Sequence, residues 1–215
     1  MNKQWKRKLS IVANNFFAIG LLLVVVVCGN TQATSVLQMN LTQLTDRAEQ
    51  IFSGTVLSVA ADSIAAGGGQ IPVLRYKVRV DDQFKGQFRE EKGVLFAEFA
   101  MIGTMAQLKS QQESLLPMLQ QGKQYLLMVA PSGPLGITST VGLSQGTFNL
   151  SLDANKEMMA VNGADNVGLF TGMNVNTSQT IAARANGANT ITNQSRGPVA
   201  YSQLADMIRQ AMEAR

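Results

Sequence analysis

The sequence predicts an α+β domain: a small antiparallel barrel or curled sheet flanked by a short N-terminal helix and a C-terminal helix. Three observations carry this. Leu74, Tyr76, Val78 and Val80 alternate with Arg75, Lys77, Arg79 and Asp81, the period of a strand with one face buried and one in water. Asn40 followed by Gln43 has the spacing of a reciprocal helix cap. Near the end, Leu204, Met207, Ile208 and Met212 fall on one helical stripe.

Ahead of this domain stands a targeting pattern. Lys3, Lys6, Arg7 and Lys8 are followed by an apolar stretch from Phe16 to Gly29, then by Asn30-Thr31-Gln32-Ala33. Basic, apolar and small segments in that order read as a secretory signal over residues 1–33, cleaved near Ala33. The apolar stretch is short for a membrane span, which takes roughly 20 residues. Cys28 follows Val27, where a lipoprotein signal has a small residue, so a membrane tether is expected only if the segment is retained or Cys28 is lipidated. The expected location is extracytoplasmic, periplasmic or secreted.

Removing this segment changes the charge argument. The whole chain has 18 Lys+Arg against 14 Asp+Glu, net +4, with four of the basic residues in the signal and no acidic one. The remaining chain is therefore formally neutral, and the high isoelectric point is no argument for nucleic-acid binding. The chain has no histidine, and its one cysteine is Cys28. Disulfides, the usual zinc and copper ligands and the commonest general base are all missing from the expected mature domain. No Asp-rich loop has calcium-binding spacing.

In order, residues 34–39 are expected as a flexible leader. The capped helix follows, with Leu41, Leu44 and Ala48 on one face. Ile51 to Ala60 reads as a strand, Ala65 to Gly69 as a loop, and the alternating strand ends at Phe84-Lys85-Gly86. Val94 to Met101 is a third strand. Residues 104–121 are expected as a helix broken before Pro117. Lys123 to Ala130 is a fourth strand, and segments near 146–152 and 157–162 form a hairpin about Asp153–Lys156. Residues 171–198, rich in Asn, Thr, Ala, Ser and Gly, are expected as a polar, mobile excursion. Residues 199–215 are the C-terminal helix, capped by Ser202 after Pro198 and packed on the domain of residues 40–170.

Some of these residues also carry a resemblance. Asn40 to Val56, then Tyr76-Lys77-Val78-Arg79-Val80 with Phe84-Lys85-Gly86, then Gly122 to Leu127 resemble a loose group of exported bacterial proteins of unknown function. Their layout is similar to the OB-type barrel of netrin-like modules, which include the tissue inhibitors of metalloproteinases. The resemblance implies an OB-like barrel over 40–170 and a binding role. It does not carry the inhibitor mechanism, which places an N-terminal cysteine on the protease zinc.

Several motifs are weaker than they look. Gly142-Leu143-Ser144-Gln145-Gly146 matches the G-x-S-x-G elbow of hydrolases, but a triad needs a histidine, so a turn is expected. Gly67-Gly68-Gly69 lacks the Lys-Ser/Thr of a phosphate loop. Arg75, Lys77, Arg79 and Lys85 share a strand, yet Tyr76 points to the opposite face and no aromatic is interleaved for base stacking. Four Asn-x-Ser/Thr sequons, beginning at Asn40, Asn149, Asn176 and Asn193, carry no weight.

The sequence thus nominates no catalytic, cofactor or metal residue. The expected function is an exported non-catalytic domain that binds a protein or an envelope component, with no nucleic-acid partner. The alternative is a carrier of apolar small molecules or lipid, with Met101, Met105, Met118, Met128, Met207 and Met212 lining an adaptable cavity. A hydrolase is a distant third.

Overall fold

The computed structural model describes residues 37–110, 116–172 and 196–213. All lie in one compact unit, Leu37–Arg215. The expected signal, residues 1–33, lies outside the described residues, as do residues 173–195 of the expected excursion.

Among the described residues the fold is α+β, with a mostly antiparallel sheet and three α-helices. Helix α1 spans Leu41–Arg47, α2 Met105–Ser110 and α3 Tyr201–Glu213. The strands are β1 (Gln50–Ala66), β2 (Gly69–Lys85), β3 (Arg89–Glu91), β4 (Val94–Ile102), β5 (Gln124–Val129), β6 (Ile137–Thr138), β7 (Thr147–Leu152), β8 (Met158–Asn162) and β9 (Val199–Ala200). Their order across the sheet is β3-β4-β2-β1-β5-β7-β8-β9, with β6 added in parallel to β4.

Local chemistry explains the starts and turns. Asn40 Oδ1 accepts from Gln43 N at 2.9 Å while Gln43 Oε1 accepts from Asn40 N at 3.0 Å, the expected capping box. The β1–β2 turn is tighter than the five-residue loop expected: Gly67 and Gly68 alone form it, at φ +57° and +79°, between paired Ala66 and Gly69. Both values lie in the left-handed region, which only glycine enters without cost. Asp153 Oδ1 accepts from Asn155 N and Glu157 N at 2.8 Å and fixes the β7–β8 turn.

Alternation along β1 and β5 divides the interior into two clusters. Ile51, Leu126 and Met128 face helices α1 and α3 and pack with Leu41, Leu44, Phe148, Leu204 and Ile208. Phe52, Leu127 and Val129 face the other way and pack with Val56, Leu74, Tyr76, Val78 and Leu119. Each fully buried side chain of this size contributes about 1.5–3 kcal/mol of transfer free energy.

Two expectations need correcting. The sheet is not closed into a barrel, because pairing continues past β5 to β7, β8 and β9, and the path ends at the edges β3 and β9. The helix expected over 104–121 and broken before Pro117 is seen at Met105–Ser110; residues 111–115 lie outside the described residues, and 116–121, which contain Pro117, are not helical. Ser202 lies inside α3 rather than capping it, since Val199–Ala200 pair with Met159 and Ala160 and the helix begins at Tyr201. The described end of the expected leader is also held in place. Gln145 Oε1 accepts from Met39 N at 2.8 Å, its Nε2 donates to Leu37 O at 3.0 Å, and Gln38 Nε2 donates to Val167 O at 2.6 Å.

Candidate functional site

An open concavity lies on the outer face of β1, β2 and β4. It is a groove of about 410 Å³ lined by Ser58 and Ala60 of β1, Arg75, Tyr76 and Lys77 of β2, Glu98, Phe99 and Ala100 of β4, and Ser132 and Gly136. Register explains the convergence. Ser58 pairs with Lys77, which pairs with Glu98, and Ala60 pairs with Arg75, which pairs with Ala100. Residues paired directly across an antiparallel ladder point to the same face. The small side chains at positions 58, 60 and 100 leave the floor low between the longer ones.

The rim is a lattice of ion pairs. Arg75 pairs with Asp62, Lys77 Nζ lies 3.2 Å from both Glu91 and Glu98, and Arg79 Nε lies 2.8 Å from Asp81 Oδ1. Arg89 lies 3.1 Å from Glu91 and reaches Glu98 at 4.0 Å. Hydrogen bonding to Glu91, then to Glu98, raises the pKa of Lys77, and the Asp81 carboxylate raises that of Arg79. Hydrogen bonding to Arg75, then to the Ser63 N–H, lowers that of Asp62. These groups are exposed, so the pairs contribute little stability; they fix a pattern of alternating charge.

This rearranges the basic strand read from sequence. Arg75, Lys77 and Arg79 are each matched by a carboxylate. Lys85 leaves the face altogether, donating to the backbone oxygens of Thr45 and Ala48 at the end of α1, where a cation suits the helix dipole. Tyr76 is buried at 1% exposure in the inner cluster, as its alternation predicts. Burial pushes its phenol up to about 12, which the adjacent Leu119 backbone offsets only in part. The expectation that no aromatic interleaves the cations needs correcting. Phe96, paired with Arg79 across the ladder, lies on the outer face, with Lys77 Nζ 4.5 Å from its ring centroid. It comes from the neighbouring strand, and period along β2 alone cannot reveal it.

A second, smaller cleft of about 270 Å³ opens beside the start of α3, lined by Ser53, Gly54, Asp81, Asp82, Gln124, Leu150, Met158 and Tyr201. The Tyr201 hydroxyl lies 2.8 Å from Ser53 Oγ and 3.0 Å from Asp82 Oδ2. A phenol has one proton to give: Tyr201 donates to the carboxylate and accepts from Ser53. Burial is the main cause that pushes its pKa up to about 12. Arg209 Nη2 completes the cluster, 3.1 Å from Asp82 Oδ2.

The remaining motifs resolve as architecture. Gly142 to Gly146 forms a short 3-10 turn, with Gly142 and Leu143 at φ +61° and +57°. A Cβ on Gly146 would collide with the Val141 carbonyl oxygen. The methionines proposed to line a cavity are divided between the clusters: Met128, Met207 and Met212 in one, Met101, Met105 and Met118 in the other. Among the described residues, no group of three or more His, Cys, Asp or Glu is placed to hold a metal ion, and no helix is long and apolar enough to cross a membrane. Comparison of the chain with family models, with curated proteins and with solved structures gives no match.

Proposed function

We propose that this chain is an exported, non-catalytic binding domain, delivered outside the cytoplasm by residues 1–33, that recognises a protein or an envelope component on the outer face of β1, β2 and β4. The observation that carries this reading is the groove of about 410 Å³ set among paired charges of both signs. A face of alternating cations and carboxylates suits a polar partner carrying both signs, because partner charges can exchange with pairs already present. It suits a polyanion poorly, since every phosphate would have to displace a carboxylate.

We propose further that the β1–β6 part of the sheet is OB-like. Strand pairing supports this: β1 joins β2 and β5, β2 joins β4, β4 takes β6 in parallel, and Val129 of β5 bridges Thr140 just beyond β6. A partly open five-stranded core of this type carries ligands on its second and third strands, which here are β2 and β4. Helix α2 and the segment leading to β5 lie between the third and fourth strands in sequence.

The test is affinity capture from the host envelope. The wild-type chain retains a partner, and Ser58→Trp, which fills the groove from an exposed position, loses it while keeping the same circular dichroism. Equal capture by the variant would overturn the assignment of the face. The carrier reading draws on the smaller cleft, whose walls include Leu150 and Met158. A fluorescent fatty-acyl probe that binds the wild type but not Met158→Asp would favour it.

A further inference from the structure

The β1–β2 hairpin reaches beyond the rest of the sheet. The outer edge of β1 is covered by β5 from Gln50 to Thr55, then by Val56 and Leu57 contacts with Lys123, Gly122 and Gln121. From Ser58 to Ala66 β1 is paired with β2, and among the described residues no strand lies against its other edge. This leaves roughly 30 Å of free edge. Such edges are normally blunted by charge, proline or bulges. This one has no proline, no bulge beyond Ser58 and one charge, Asp62, already neutralised by Arg75.

We propose that this edge pairs with the same edge of a second copy, forming a two-fold antiparallel arm-to-arm dimer centred on Ala61. The register follows from the hairpin. Ala66 and Gly69 close a two-residue turn, so Ala66 directs its N–H and C=O toward β2, and alternate residues counted back from it do the same. Val59, Ala61, Ser63 and Ala65 therefore direct theirs outward. The Ser63 N–H conforms: it is held by its own Asp62 carboxylate at 2.8 Å instead of by β2. A two-fold axis at Ala61 pairs Ala61 with its copy, and Val59 with Ser63 of the second copy, so that outward groups meet outward groups.

Charge selects the same register. Centring on Asp62 would set two carboxylates face to face. Centring on Ala61 sets Asp62 opposite Ala60 of the second copy, and Ala60 is paired across its own hairpin with Arg75. The small Ala60 side chain leaves each Arg75 able to reach over it to the Asp62 of the other copy, which releases the Ser63 N–H for strand pairing. An antiparallel edge paired with itself also closes after two copies and leaves no further edge at that site.

The experiment is sedimentation equilibrium of the chain recovered from its host, with cysteine crosslinking. The proposal expects twice the single-chain mass for the wild type, and single-chain mass for Ala61→Lys, which sets like charges opposite each other at an exposed position. It also expects Ala61→Cys to crosslink readily under mild oxidation. The two Ala61 Cα atoms would lie about 5.5 Å apart, within disulfide reach. Ala65→Cys should not crosslink above the wild-type background, since its copies would lie roughly 26 Å apart. A wild type that stays at single-chain mass over a wide concentration range would overturn the proposal. Crosslinking of Ala65→Cys as fast as Ala61→Cys would overturn the register.

Discussion

Tyr201, the first residue of α3, places its hydroxyl 3.0 Å from Asp82 near the end of β2, and so ties the last helix of the chain to its longest hairpin. Arg209, two turns later on the same helix, reaches the same carboxylate oxygen at 3.1 Å and lies 4.9 Å from the Phe84 ring centroid. The buried stripe of Leu204, Met207 and Ile208 supplies the affinity of helix for sheet, and the polar cluster fixes its position along β1 and β2. Tyr201→Phe keeps the ring and loses both hydroxyl contacts. It should lower stability by about 1–2 kcal/mol in urea unfolding, with little change in the slope of the transition.

The same phenol, with Tyr76 and Tyr125, sets the response to alkali. Tyr76 and Tyr201 are raised from 10.0 to about 12, and Tyr125 is raised as well, all chiefly by burial. Below pH 10 all three are protonated whether folded or unfolded, and the native state keeps its full advantage. Above pH 10 the unfolded chain loses these protons first, so stability falls until the raised folded-state values, near 12 for Tyr76 and Tyr201, are passed. A series of urea melts should show a steep loss over this window, shallower in Tyr201→Phe.

Asn162 and Asn166 organise the chain after β8. Asn166 Nδ2 donates to Ala160 O at 3.0 Å and Gly197 O at 2.8 Å, and its Oδ1 accepts from Asn162 N at 2.9 Å. It also holds φ +56°, a conformation asparagine tolerates better than most residues. Asn166→Ala should cost about 3 kcal/mol, from several buried partners left unpaired together with backbone strain, read by thermal or denaturant unfolding.

The G-x-S-x-G segment makes a contrast within one motif. Gly146→Ala drives a Cβ into the Val141 carbonyl oxygen and should cost about 3 kcal/mol. Ser144→Ala removes a half-buried hydroxyl from a turn and should change stability by no more than about 0.5 kcal/mol. The reverse order would mean that the serine, and not the glycine, is what the segment is built around.

Where structure follows from neighbours in sequence, it was legible. The Asn40–Gln43 cap, the alternation along β2 and the turn at Asp153 each depend on residues within a few positions of one another. Strands β3, β6 and β9 are two or three residues long, too short for a period, and exist only because β4 and β8 offer them edges. For the helix expected over 104–121, the Gln- and Leu-rich composition favours the turns seen at Met105–Ser110, and Pro117 lies in a stretch that is not helical. The groove was hidden because Ser58, Lys77 and Glu98 form one row only after three strands align. Lys85 was grouped with the basic strand because the α1 carbonyls it serves, at Thr45 and Ala48, lie 40 and 37 positions earlier.

The most direct test of the binding face is site-specific photo-crosslinking in the intact envelope of the host. A photoreactive side chain at Ala60, on the groove floor, and the same group at Lys156, in the β7–β8 turn, are compared in chains of equal stability. A discrete adduct from position 60 to a molecule other than a second copy of this chain, absent from position 156 and lost on Lys77→Glu, is the result expected of a docking surface on β1, β2 and β4. Adducts from position 156 alone, or the same adducts from both positions, would contradict it.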